Sequence, residues 1–145
     1  MTSVRVFPWF VLLAVLGCGD RLKKATFKMH GSVVDAEGRP AGGAIIILQP
    51  VSLDAKDAAR PSATVMEDGA YALTTYTTGD GAPAGEYAVI VIWPAARKTP
   101  FEPAGGDRLG GAMARVDPNS PHITVTREPD QLAPQITLIP QKKPH

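Results

Sequence analysis

The sequence has 145 residues, among them 14 glycines, 14 prolines and a single cysteine. This length allows one domain that buries a core without disulfide bonds or metals, and the Gly and Pro content suits many short strands joined by turns. Fifteen Lys and Arg balance fourteen Asp and Glu, and this near-neutral charge argues against attraction to nucleic acid or to an anionic membrane surface.

The first residues have the pattern of a secretion signal. Residues 1–5 contain one positive charge, at Arg5, and residues 6–16 form an uncharged, mostly apolar run. A helix of that length rises about 16 Å, about half of a bilayer core, so the run is too short to span a membrane. It has the length of a signal-peptide hydrophobic region.

The single cysteine follows this run. The segment Val15–Cys18 resembles the lipobox of bacterial lipoproteins, in which a peptidase cleaves before the cysteine and the thiol accepts a diacylglycerol. The resemblance implies a signal peptide at 1–17, a lipidated tether at 18–24 and lipid attachment at Cys18, with acyl chains that suffice for stable anchoring. Gly19, rather than an aspartate, comes next, which favours the outer over the inner membrane. The alternative is a buried cysteine in an uncleaved N-terminal helix.

Residues 25–140 predict a β-sandwich, followed by a frayed tail at 141–145. Short runs of β-branched, aromatic or alternating apolar residues, separated by turn signals and without an amphipathic helix, are typical of this all-β class. The seven predicted strands lie at 26–34, 44–48, 63–66, 70–76, 86–93, 122–126 and 135–139.

Two turns and one apolar run are the clearest local signals. The turn at Asp35–Pro40 places a glycine where positive φ is needed. Glu67–Gly69 is a hairpin turn of the Asp-Gly type that returns the chain along 70–76. The run Ala44–Leu48 is continuously apolar, which predicts a strand buried on both sides or beneath a loop.

The order of these features resembles carboxypeptidase regulatory-like, transthyretin-like domains: a strand, an Asp-x-x-Gly-x-Pro turn at 35–40, a buried strand and then the segment Glu67–Thr75. The run Gly79–Tyr87 and the segment Asp117–Pro121 are similar to those of small lipoproteins common in planctomycetes. The resemblance covers residues 26–139. It implies a seven-stranded Greek-key sandwich that acts as a non-catalytic module, and it implies no substrate.

Two loops contain the candidate binding residues. Asp80, between two glycines, and Glu86 could ligate a cation, or Asp80 could cap backbone amides in a tight connection, which is the interpretation we favour. The segment 94–121 is long and locally basic, and loops of this length are usually functional or disordered. It contains Phe101 and Arg108, which together with Tyr76 are the candidates for surface contact. Tyr71, Tyr87 and Trp93 are instead expected in the core.

The remaining polar residues predict no catalytic or metal centre and no cofactor. The three histidines, His30, His122 and His145, are far apart in the sequence, whereas a metal site needs ligands at close spacing. The sequence therefore predicts an exported, non-enzymatic β-sandwich with a structural or binding role in the cell envelope, anchored to the membrane by lipid and facing an unknown protein or glycan partner. The alternatives are a carbohydrate- or cation-binding module and a transthyretin-like hydrolase, although the chain lacks the Tyr-Arg-Gly-Ser C-terminus of that hydrolase family.

Overall fold

The computed structural model describes residues 23–52, 58–103 and 105–140. These residues form an all-β structure in which two sheets pack as a sandwich, which confirms the predicted fold class. The strands are β1 (Thr26–Asp35), β2 (Ile45–Pro50), β3 (Ser62–Thr64), β4 (Ala70–Ala72), β5 (Ala82–Pro83), β6 (Gly85–Ile92), β7 (His122–Val125), β8 (Asp130–Leu132) and β9 (Ile136–Leu138). No helix in this part of the chain is long and apolar enough to cross a membrane.

β1 lies at the centre of the five-stranded sheet. β4 and β5 pair with it antiparallel, and β8 and β9 pair with it parallel. Its side chains alternate as the sequence predicts, with Met29 and Val33 buried and Lys28 and His30 exposed. This alternation follows from the strand period of two, which directs successive side chains to opposite faces of the sheet.

The second sheet has four strands in the order β3-β2-β6-β7, all of them antiparallel. Its central pair, β2 and β6, places Ile46 opposite Val91 and Leu48 opposite Val89. Both sheets contribute to one hydrophobic core, whose largest fully buried side chains are Tyr71, Ile46, Leu48, Leu73, Leu109, Leu138, Val33, Val65, Val89, Val91 and Val125.

β2 is fully buried on one face only. Ile46 and Leu48 are fully buried, but Ile45 and Ile47 are only partly buried, so the strand has one core face and not two. β2 pairs with β3 on one side and with β6 on the other. The outer face of the sheet is partly open to solvent at Ile45 and Ile47. A run of four aliphatic residues therefore marks a central strand here without implying a layer on each side.

The Asp-Gly turn forms at Gly69 as predicted, but the strands on either side of it then separate. Gly69 has a φ of 86° and its N–H donates to the Met66 carbonyl, as a tight turn requires. However, the flanking strands belong to different sheets, since β3 pairs with β2 and β4 pairs with β1. Two backbone contacts still join the arms of the turn: the Met66 N–H donates to the Ala70 carbonyl at 2.8 Å, and Ser62 and Thr74 exchange a reciprocal pair of bonds. The turn therefore carries the chain from one layer of the sandwich to the other.

All seven predicted strands occur, and the described residues contain two more. β5 has two residues and β8 has three, and both pair with β1. β5 contains Pro83 and β8 contains Asp130, residue types that are depleted in strands, so neither segment has a strand pattern in the sequence.

The sandwich has two distinct ends, which we call the tether end and the turn end. At the tether end β1 begins, Thr26 pairs with Pro83, and β6 begins at Gly85. At the turn end lie the turn that follows β1, the Glu67–Gly69 turn and Trp93, whose Nε1 donates to the Gly42 carbonyl at 3.0 Å. The long loop beyond β6 therefore starts at the end opposite the tether.

Candidate functional site

The lipobox-like cysteine, Cys18, lies outside the described residues, as do the signal-peptide range 1–17 and the tail 141–145. The described chain starts at Lys23, near the end of the predicted tether, and enters β1 at Thr26. The predicted tether therefore leads directly into the central strand of the five-stranded sheet.

Asp80 organises the glycine-rich loop. Its Oδ1 accepts the Thr75 N–H at 2.7 Å, and its Oδ2 accepts the N–H groups of Tyr76 and Thr77 at 3.0 and 3.1 Å. Partial burial of the carboxyl opposes ionisation, but these backbone donors outweigh it and lower the pKa of Asp80. Both carboxylate oxygens are thus engaged by backbone groups, which is the geometry of a cap within a tight connection.

The glycines beside Asp80 have different roles. Gly79 and Gly81 both have positive φ, 71° and 90°. A Cβ on Gly79 would meet nothing within 4 Å, whereas one on Gly81 would lie 1.9 Å from the Phe27 carbonyl oxygen. The loop therefore presses directly on the backbone of β1 at Gly81, and only a residue without a side chain fits there.

Glu86 is engaged elsewhere. Its Oε1 lies 3.0 Å from Nδ1 of His122 on the neighbouring strand β7. Both side chains are about half exposed, so this pair contributes little to stability. Within the described ranges no three His, Cys, Asp or Glu side chains are grouped so that they could hold a metal ion. The structure thus gives the carboxylates of Asp80 and Glu86 separate partners.

Tyr76 lies at the tether end. Its hydroxyl accepts the backbone N–H of Lys24 at 3.3 Å, and Nζ of Lys23 lies 6.0 Å from its ring centroid. Tyr76 is 38% exposed. Tyr76 therefore contacts the first described residues of the chain, immediately before β1.

Phe101 and Arg108 lie on the long loop beyond β6. Phe101 is 98% exposed. The Arg108 guanidinium lies 3.8 Å from the centroid of the Trp93 ring, in cation–π geometry, and its backbone N–H donates to the Trp93 carbonyl. Trp93 is itself buried, so Arg108 covers one face of a core residue at the turn end.

Sequence reasoning missed how this loop is held. Oδ1 of Asp107 accepts the N–H groups of Trp93 and Leu109 at 2.9 and 3.1 Å, and its Oδ2 accepts the Gly111 N–H at 2.9 Å. Leu109 is 1% exposed and belongs to the core. Leu109 stands alone in a Gly-rich segment, so no apolar periodicity marks it as a core residue. The one usable signal in the sequence is Asp107, since aspartate tends to cap turns.

A basic hollow at the tether end was also missed. It has a volume of about 360 Å³ and is lined by Lys24, Ala25, Phe27, Pro83, Ala84 and Arg127. Lys24 and Arg127 come from opposite ends of the domain sequence and are both exposed. Neither forms an ion pair within the described part of the chain. The hollow therefore combines two cations outside any described ion pair with apolar walls, while Glu86 lines the adjoining hollow, which shares Lys24.

Two buried tyrosines differ in their polar contacts. The Tyr87 hydroxyl donates to the Pro83 carbonyl at 2.8 Å. The Tyr71 hydroxyl is buried and has no hydrogen-bond partner among the described residues. Burial raises the pKa of Tyr71 to about 12 and also raises the pKa of Tyr87. Both rings, like that of Trp93, lie in the core as the sequence predicts.

The chain matches no family model and no curated protein sequence. A solved structure that is similar is that of the major pilin subunit of Bacillus cereus, with 12% sequence identity and a TM-score of 0.43. The match covers 78% of this chain and 30% of the pilin chain. The chain thus spans less than a third of the pilin's length, and a similarity at this level identifies no family.

Proposed function

We propose that the protein is a lipid-anchored, extracytoplasmic β-sandwich with a non-enzymatic binding or structural role in the cell envelope. The observation that carries the proposal is the short stretch of chain between Cys18 and the sandwich. β1 begins at Thr26, and eight residues span at most about 28 Å when fully extended. An acylated cysteine would therefore hold the sandwich next to the lipid surface.

The use of the polar side chains supports a binding or structural module over an enzyme. Asp35, Asp80 and Asp107 each accept backbone N–H groups of their own turns. His30 and His122 each contact an exposed carboxylate. A nucleophile–base pair would instead place a histidine against a hydroxyl or thiol. The aspartates stabilise turns and the histidines lie in exposed contacts between neighbouring strands, which is a use of polar groups that suits a scaffold.

We also infer kinship with the carboxypeptidase regulatory-like domains. The support is local. In the Asp-x-x-Gly-x-Pro turn, Oδ1 of Asp35 accepts the N–H groups of Glu37 and Arg39 at 3.0 and 2.8 Å, and Gly38 has a φ of 81°. The Asp and the Gly of that motif therefore each have a structural role that explains their presence in the sequence.

Acylation provides the direct test of the anchor. Cells expressing the full chain would be fed an alkyne-bearing fatty acid, and the purified protein would be assayed for the label and by mass spectrometry of its N-terminal peptide. We expect the label on the wild-type chain and its complete loss in Cys18→Ala, because no other cysteine is present. Asp20→Asn, which alters a neighbouring charge and keeps the thiol, is the matched control. An unlabelled wild-type chain in the membrane fraction would refute the anchor.

A partner at the turn end can be tested separately. A photo-crosslinking residue at Phe101, which is 98% exposed, should capture a specific envelope protein or glycan in intact cells. The same photo-crosslinking residue placed at Glu128, at the tether end, is the control for nonspecific crosslinking to nearby molecules. Equal products from both positions, or none above background, would contradict a binding role at the turn end.

A further inference from the structure

The tether-end hollow has features that point to a ligand. Two cations, Lys24 and Arg127, frame a space of about 360 Å³, and no acidic side chain lines it. Phe27, Pro83 and Ala84 form apolar walls. A phosphate flanked by apolar chain matches this combination, since Lys and Arg bind phosphate oxygens and the walls accept the adjoining hydrocarbon.

The position of the hollow identifies the source of that phosphate. Lys24 is six residues from Cys18 in the sequence, and six residues reach at most about 21 Å. A lipid attached at Cys18 would thus keep the hollow within that distance of its own membrane, so headgroups are the phosphate-bearing molecules nearest to it. This argument rests on the proposed lipid anchor.

We propose that the tether-end hollow seats the headgroup of an anionic phospholipid of the membrane in which the chain is anchored, and that this contact orients the sandwich with its turn end away from the bilayer. The near-neutral charge of the whole chain argues against long-range attraction to an anionic surface, so the contact depends on the charges next to the hollow. Screening confines surface electrostatics to about 8 Å at physiological salt, and within the hollow itself the lining charges are the two cations, with Glu86 in the adjoining hollow turned to His122.

The contacts around the hollow fix its shape. Pro83 pairs with Thr26 in the ladder of β5 and β1, and its carbonyl accepts the Tyr87 hydroxyl. Lys24 is placed by its backbone bond to Tyr76. The walls are therefore held by both sheets, and a headgroup would meet a preformed hollow.

The test uses lipidated full-length protein, purified in detergent and reconstituted into vesicles. A fluorophore is attached to Ser52→Cys, because Ser52 is exposed and lines a neighbouring hollow at the same end. The control label is at Phe101→Cys, on the long loop. Vesicles contain phosphatidylcholine alone or with about a third phosphatidylglycerol, and headgroup spin labels quench whichever fluorophore is close to the surface.

We expect quenching at position 52 that increases with phosphatidylglycerol, and no quenching at position 101. Each cation near an anionic surface contributes about fivefold, or about 1 kcal/mol, so Lys24→Gln with Arg127→Gln should lower the ratio of docked to free molecules about 25-fold. The matched control, Arg97→Gln with Lys98→Gln, removes the same charge from the long loop and should leave quenching at position 52 unchanged.

The possible failures are distinguishable. Protein that does not float with the vesicles would refute the lipid anchor. Protein that floats, but whose quenching at position 52 is equal on neutral and anionic vesicles, would refute the headgroup site alone. An equal loss of quenching in the two charge variants would also refute it, because the effect would then come from net charge.

Discussion

The two buried tyrosines provide a matched test of how hydrogen bonding sets the stability of this core. Tyr71 is 1% exposed and Tyr87 is 4% exposed. The Tyr87 hydroxyl donates to the Pro83 carbonyl at 2.8 Å, whereas the Tyr71 hydroxyl has no partner in the part of the chain that the structure describes. Substitution by Phe deletes the same oxygen from both rings and leaves each ring in place, so any difference reports on the hydrogen bond.

The expected effects have opposite signs. Tyr87→Phe loses this hydrogen bond and removes one donor from the Pro83 carbonyl, for a loss of about 1–2 kcal/mol. Tyr71→Phe removes a hydroxyl whose unpaired burial costs about 1–3 kcal/mol, so the free energy of unfolding should stay equal or rise by about 1 kcal/mol. A domain of this size shifts its Tm by about 4 °C per kcal/mol, which separates the two variants by roughly 8 °C.

The assay is thermal and urea unfolding of both variants beside the wild type at pH 7, where both hydroxyls are protonated. Absorbance at 295 nm supplies an independent check, because the titration of Tyr71 at a pKa of about 12 should disappear in Tyr71→Phe. A loss of stability in Tyr71→Phe equal to that in Tyr87→Phe would refute the reasoning, since the Tyr71 hydroxyl would then be making a stabilising bond.

The loops provide three further tests. Gly81→Ala places a Cβ 1.9 Å from the Phe27 carbonyl oxygen and should lower the free energy of unfolding in urea by more than about 4 kcal/mol. Gly79→Ala, with open space around it, should lower it by about 1 kcal/mol because of its positive φ. Equal losses would show that the loop does not press on β1. The pKa of Asp80 is lowered from 3.8, so the stability that its carboxylate gives the fold is fully present above that value and is lost as the pH falls through the folded pKa. The difference in Tm between wild type and Asp80→Asn should therefore shrink from pH 7 to pH 3. A constant difference would contradict the capping role. Arg108→Ala should cost about 1 kcal/mol and shift the tryptophan emission to the red because Trp93 loses its cover, while Arg115→Ala, on the same loop, should change neither the stability nor the emission.

The strands were predictable because their signal is local. β6, with its β-branched and aromatic residues, and β1, with its alternation, each carry a pattern long enough to read over eight or more residues. The turns at Gly38 and Gly69 were predictable for the same reason, since the need for positive φ is a property of a few adjacent residues. Local chemistry therefore accounts for the elements of the sandwich.

The features that the sequence did not reveal depend on distant partners. The change of sheet after Gly69 depends on whether β4 pairs with β3, its neighbour across the turn, or with β1, and both choices satisfy the same turn. β8 is defined by its parallel pairing with β1, where Met29 lies opposite Gln131. The basic hollow joins Lys24 to Arg127 across the domain. Pairings between distant segments are selected by the assembled core, so no window of the sequence contains them.

The length of β1 separates the two surfaces that the proposals assign. Its ten residues span about 33 Å at the rise of a β-strand, so the turn end, with Arg108, lies about four Debye lengths from the hollow at physiological salt. Electrostatic changes at the tether end should consequently not reach the turn end. If the headgroup orients the sandwich, Lys24→Gln with Arg127→Gln should let the sandwich tilt on the membrane. Tilting moves the long loop away from a partner that is membrane-bound and held at a fixed distance from the bilayer, so crosslinking at Phe101 should weaken only for a partner of that kind. A soluble partner would be captured equally by both forms, so the two proposals together predict which kind of partner responds to the lipid composition.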